Sequence, residues 1–351
     1  MFWSLAFAIL TQVPVPAQEL APGTAYDPAI PTLEQVVGHG FREEITPPAG
    51  VIQYMEALHA AAPERTRLIQ YAESWEGRPL VVMVIGSVDR MTRLDEERAD
   101  LRRLSDPRGL SREDANALLD RLPVVTLIGH SIHGNEATGS GAAMAEAYHL
   151  LAARNDPEVE LILRESLVLI DPMENPDGRA RFLYQNTIAR SRWPDPDTWS
   201  AEHDEPWPGG RGNHYLFDMN RDYFAQTQLE VQGKVRVYRE WMPHIVADLH
   251  EMGGNSTYFF PPTAPPSNAL FGDQQIQQMD LFGADIAEAF DERGFAYFNR
   301  DTYDLFYPGY VDMWPMTHGS LGMTFEQASP RALVLRRNDG DLMTYGDGVT
   351  H

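Results

Sequence analysis

Val124-Val125-Thr126-Leu127-Ile128-Gly129-His130-Ser131-Ile132-His133-Gly134-Asn135-Glu136 decides how this chain is read. The first five residues are an apolar, β-branched run that reads as a buried strand. The last four carry a His and a Glu three positions apart, on the loop that leaves the strand. Both side chains can turn toward one cation from there. A second His closes Ala247-Asp248-Leu249-His250, again just past an apolar run, Ile245-Val246-Ala247. Two imidazoles and one carboxylate, with a position left for water, form the ligand set of a catalytic rather than a structural zinc.

Composition narrows the partners. The chain has 351 residues and a formal charge of −23, from 51 acidic and 28 basic side chains. Binding a phosphate backbone needs clustered Lys and Arg, so nucleic acid is excluded as a partner, and stable membrane insertion is not expected. An anionic substrate is still admissible, because distant surface charges are screened within about 8 Å at physiological salt. Lys234 is the one lysine, which reads as codon bias. There is no cysteine, which removes thiol catalysis, zinc ribbons, iron–sulfur clusters and disulfides together.

The remaining pattern alternates strands and helices. Residues 1–18 carry a short apolar run, Phe2 to Leu10, then Val13-Pro14-Val15-Pro16-Ala17, and read as a signal peptide. That places the mature protein outside the cytoplasm, secreted or periplasmic. Residues 19–48 are Pro-rich and poorly periodic, a lead-in that packs late or loosely. Helical spacing covers 51–62, 94–122, 138–154, 226–242 and 276–290; strands are expected at 80–85, 124–128, 167–170, 245–248, 322–325 and 332–335. The fold class is α/β, with a mixed, mostly parallel twisted sheet flanked by helices on both faces. Ligands in such folds collect at the carboxyl ends of strands. His133, Glu136, His250 and Glu326 all follow apolar runs and can meet on one sheet edge. The tail after Leu335 shows no finishing element, as if the chain were cut from a longer protein or lacked a terminal helix.

The motifs, in order, resemble the zinc carboxypeptidase (metallocarboxypeptidase) family, in its bacterial secreted branch. They are Glu76-Gly77-Arg78-Pro79, His133-Gly134-Asn135-Glu136, Asn175-Pro176-Asp177-Gly178, Asp218-Met219-Asn220-Arg221, Asp248-Leu249-His250 and Thr324-Phe325-Glu326. The resemblance covers roughly residues 45–335 and implies a catalytic domain over 49–351. It implies one Zn²⁺ per chain held by His133, Glu136 and His250, and a peptide or protein C-terminus as substrate. It makes Glu326 the general base, Asp218 the acceptor from a zinc-bound imidazole, and Asn220 with Arg221 the dock for the substrate's terminal carboxylate. Arg190 matches the spacing of the family's oxyanion-stabilising arginine, with Arg192 and Arg211 as rivals. Tyr307 best matches the family's cleft tyrosine among Tyr303, Tyr307 and Tyr310. Val311 falls where the family sets side-chain preference, which implies an apolar or aromatic C-terminal residue.

Asn135 departs from the pattern, standing where digestive members carry a substrate-binding arginine. Two other readings share the motifs. One is a zinc amidohydrolase of small N-acyl amino acids, similar to the aspartoacylase branch. The other is a carboxypeptidase-like binding module without activity; the intact ligand set and base speak against it.

Overall fold

The computed structural model describes residues 20, 21 and 23–351. The signal-peptide reading of 1–18 therefore lies outside the described residues. A seven-stranded mixed sheet forms the centre. Its strands are β1 (Thr66–Glu73), β2 (Pro79–Ile85), β3 (Val124–His130), β4 (Ser166–Asp171), β5 (Ile245–Gly253), β6 (Tyr258–Phe259) and β7 (Leu321–Ser329). Their order across the sheet is β1-β2-β4-β3-β5-β7-β6. The middle four, β4-β3-β5-β7, are parallel, and both flanks are antiparallel.

Period-two alternation explains why the middle strands are apolar throughout. Met83 and Ile85 of β2, with Val168 and Ile170 of β4, enter one core. Their neighbours Val82, Val84, Leu167 and Leu169 enter the other. Helices α1 (Pro48–Ala61) and α2 (Thr138–Ala152) cover the first face, and α3 (Leu229–Trp241) covers the second. Each fully buried Val, Leu or Ile contributes about 1.5–3 kcal/mol, so the two faces dominate the stability of the domain.

Three expectations are corrected. The lead-in does not pack loosely: Ile30, Leu33, Phe41 and Ile45 are buried in the same core as α1 and α2, and a short helix, Leu33–Val37, starts on a Thr32 capping box. The tail is structured rather than featureless. Leu342–Thr344 pairs antiparallel with Val334–Arg336. Tyr345–Thr350 is a helix with a Thr344 capping box, and its Tyr345 and Val349 are buried against α2. The stretch 94–122 is broken into two helices, Leu94–Ser105 and Arg112–Leu119, the second capped by Ser111. No helix among the described residues is long and apolar enough to cross a membrane.

Lys234 has a place the composition did not suggest. It is buried on α3, 2.6 Å from Asp171 and 2.9 Å from Glu174. Tyr71 donates to the same Asp171 at 2.7 Å. This closed set of charges lies at the carboxyl end of β4, under the loop that carries His133.

Candidate metal centre

The loop after β3 is shaped by its neighbours. Glu136 N donates to His133 O at 3.1 Å, which closes a turn and brings the two side chains to one side. Asn175 Nδ2 donates to Ile132 O at 3.1 Å and to Arg211 O at 3.0 Å, tying that loop to two others. Gly134 has to be glycine: a Cβ there would meet Arg179 N at 2.1 Å, closer than any repacking can relieve. Asp177, from the same Asn-Pro-Asp-Gly segment, takes Ser74 Oγ at 2.7 Å and Arg78 at 2.6 Å. The Glu76-Gly77-Arg78-Pro79 turn is thereby pinned beneath the site.

His133, Glu136 and His250 are all buried, and their donor atoms lie within 4.8 Å of one another. His133 Nδ1 is 2.7 Å from Glu136 Oε1, and His250 Nδ1 is 3.0 Å from Glu136 Oε2. The outer nitrogens are engaged as well. His133 Nε2 lies 3.1 Å from Asp218 Oδ1, and His250 Nε2 lies 2.6 Å from Asp248 Oδ2. A carboxylate behind each imidazole fixes its tautomer and frees Nδ1 as a donor to a cation.

Electrostatics point the same way. Burial opposes the charge on Glu136, but the two imidazoles outweigh it and hold the carboxyl well below its usual range. Burial also disfavours a proton on His133 and His250, yet the carboxylates around them raise both. The three groups thus ask for positive charge at their centre. Two N and one O donor, buried and oriented, fit Zn²⁺ with a coordination position left open.

Glu326 stands beside this cluster on β7, where its Cα pairs with that of His250. Burial pushes its carboxyl up to about 7, with His250 opposing and Glu136 and Asp248 adding to the rise. Burial raises the Tyr303 hydroxyl too, and a hydrogen bond to Glu326 raises it further. Burial lifts Asp312 to about 7, and Thr324 Oγ1 donates to it at 2.9 Å.

The other expected residues are distributed unevenly. Asp218 caps the short turn Met219–Arg221, accepting from Asn220 N at 3.0 Å. Asn220 is buried and faces inward. Its Nδ2 donates to Asp248 at 3.0 Å and lies 2.8 Å from His250 Nε2, while its Oδ1 accepts from Val311 N at 2.8 Å. That amide braces the site's own walls, and Val311 is buried with it. Arg221 is half-exposed, its guanidinium 4.5 Å over the Tyr310 ring and 3.9 Å from Asp218. Tyr307 donates to Arg221 O at 3.0 Å. Arg190 ends a helix, Pro176–Ala189, and pairs with Glu44 at 2.8 Å rather than with the cluster. Arg211 takes the nearer place. It is 2.9 Å from Asp218 and 3.3 Å from His133 Nδ1. No periodicity marks an arginine in a long loop; only its position seven residues before Asp218 could have singled it out.

The zinc carboxypeptidase family model, peptidase M14, matches residues 51–248. Among solved structures, carboxypeptidase A from Helicoverpa armigera superposes with a TM-score of 0.59 at 14% identity, covering 91% of this chain and 73% of that one. A metallo-carboxypeptidase from Burkholderia cenocepacia gives 0.55 at 14% identity, covering 85% of this chain and 65% of that one. The chain therefore spans about two thirds to three quarters of the length of these structures, and at such identity the likeness is one of fold. No curated protein matches the chain.

Proposed function

The chain belongs to the zinc carboxypeptidase family, and from that premise we propose that it removes C-terminal residues from peptides. The observation that carries this reading is the buried His133–Glu136–His250 cluster with Glu326 in register beside it. His133, Glu136 and His250 would hold one Zn²⁺. When bound, a Zn²⁺ there would supply Lewis acidity toward a substrate carbonyl and toward water. Glu326 accepts the proton of the attacking water and passes it to the leaving amine. Burial raises the affinity of this carboxyl for protons, which suits a group that both takes up and releases one.

Arg221 offers a planar fork to the substrate's terminal carboxylate, which restricts the enzyme to chain ends. Its Nη1 donates to Asn220 O at 2.7 Å and lies 3.9 Å from Asp218, so a terminal carboxylate would draw on the remaining N–H groups of the fork. Arg211, held by Asp218 at the edge of the cluster, supplies positive charge to the developing oxyanion; Arg190, paired with Glu44, is the less suited of the two. Tyr303 and Tyr307 flank the cleft from Glu326 and Arg221 respectively. The apolar segment Phe2–Leu10 supports export, so the reaction takes place outside the cytoplasm.

The test is a matched pair of peptides, one with a free C-terminus and one amidated, incubated with zinc-loaded protein and read by mass spectrometry. Stepwise shortening of the free peptide alone supports the reading. Zinc-loaded protein that shortens neither, or both equally, contradicts it.

A further inference from the structure

Between Ala189 and Met219 the chain runs without helix or strand. Structureless connections of that length in a compact domain are uncommon and are usually functional. This one is not slack. Arg181 donates to Gly209 O at 2.5 Å and to Gly212 O at 2.7 Å. Arg336 N donates to Pro196 O at 2.7 Å. Glu205 joins the loop to the metal-binding turn, accepting from Asn135 Nδ2 at 2.8 Å and from Gly210 N at 2.5 Å.

On this fixed backbone three indoles are left in water. Trp193, Trp199 and Trp207 are 72%, 93% and 86% exposed. A large apolar surface on a rigid loop is the composition of a contact surface, because little side-chain entropy is lost when it is covered. The exposed charges among the indoles are mainly acidic, Asp195, Asp197 and Asp204. Arg192 already rests 5.3 Å from the centre of the Trp193 ring, which shows an indole of this loop taking a guanidinium.

We propose that Trp193–Trp207 is a subsite for the part of a peptide substrate upstream of the scissile bond, and that it favours Lys and Arg there. The inference rests on the carboxypeptidase reading above. The loop is tied to the metal-binding turn by Glu205 on Asn135 and reaches His133 through Arg211, and this continuity with the site is what assigns it to the upstream part of a bound chain. Indole faces attract cations, and the neighbouring carboxylates reinforce the preference and exclude acidic chains.

The experiment compares three substrates sharing one C-terminal dipeptide: the N-blocked dipeptide itself, a hexapeptide with two upstream lysines, and one with two upstream glutamates. Wild-type protein should cut the lysine peptide with a kcat/KM about tenfold above the glutamate peptide, mostly through KM. In Trp199→Ala and Trp207→Ala that ratio should fall toward one, and Trp199→Phe should restore part of it. The blocked dipeptide, too short to reach the loop, reports whether each variant is folded and loaded. Protein that cuts the dipeptide yet treats both hexapeptides alike overturns the subsite and leaves the carboxypeptidase reading standing. Tryptophan variants that keep the wild-type ratio overturn it as well. Protein that cuts none of the three overturns both.

Discussion

Glu326 and His250 face each other as Cα partners on adjacent parallel strands. Side chains alternate along a strand, so residues in register on neighbouring strands leave the sheet on the same side. The proposed base and one residue of the candidate metal cluster are thus positioned by backbone pairing rather than by a loop. Glu326→Gln should lower kcat by roughly 10²–10⁴-fold, the usual span for general acid–base catalysis. Bound zinc, measured by elemental analysis, should stay at the wild-type level. Loss of the metal in this variant would mean Glu326 is a ligand instead.

Asp218 holds the outer nitrogen of His133 at 3.1 Å. Asp218→Ala should weaken zinc binding about 10–100-fold by freeing the imidazole to rotate and lowering its basicity. Competition with a chelator of known affinity checks this. An unchanged zinc affinity would remove Asp218 from the site's support.

Arg221 is half-exposed over Tyr310, with Nη1 donating to Asn220 O at 2.7 Å and lying 3.9 Å from Asp218. Arg221→Ala should lower kcat/KM on free C-termini by about 10²-fold, equivalent to losing a charged hydrogen-bonded contact. Any residual cleavage of amidated peptides should change little. Equal losses on both would assign Arg221 a structural role.

The acid limb of the pH profile belongs to Glu326. As a base it works only when ionised, so kcat/KM should rise with pH as its proton leaves. Burial sets that loss near pH 7 without the cation, and a bound cation lowers it toward the ordinary Glu range near 4.3. The limb should therefore lie between those limits and flatten above pH 7. A profile still climbing steeply above pH 8 contradicts the assignment.

Lys234→Met leaves Asp171 and Glu174 buried without their cation. Breaking a buried pair by removing one partner costs about 3–5 kcal/mol. Chemical denaturation of the variant should show a loss of that size. A stability within about 0.5 kcal/mol of wild type, the range of neutral surface changes, would mean that water reaches the acids.

The middle of the sheet and the His133, Glu136 and His250 cluster were legible for one shared reason. Strands buried on both faces are continuous apolar runs, and the ligands follow their ends, so a strong pattern marks each position. Thr66–Glu73 was missed because a register shift between Gln70 and Ala72 breaks its alternation. The helix Pro176–Ala189 was hidden inside a motif read for its resemblance, although Asn175 as cap and Pro176 at the first helical position are start signals. Ile30, Phe41 and Ile45 reach the core from irregular chain and Leu33 from a helix of five residues, too short to show a period. Which arginine approaches the cluster depends on where loops fold, and spacing alone favoured Arg190 over Arg211 for that reason. Asn220 turning inward is likewise a matter of side-chain direction at a short turn, which no linear pattern encodes.

Zinc stoichiometry and affinity across His133→Ala, Glu136→Ala and His250→Ala test most directly whether one ion is shared by a local His–Glu pair and a histidine far along the chain. One zinc per wild-type chain is expected, with each single variant losing most of its affinity while remaining folded. A folded His250→Ala variant that binds one zinc as tightly as wild type would contradict the shared centre and everything built on it.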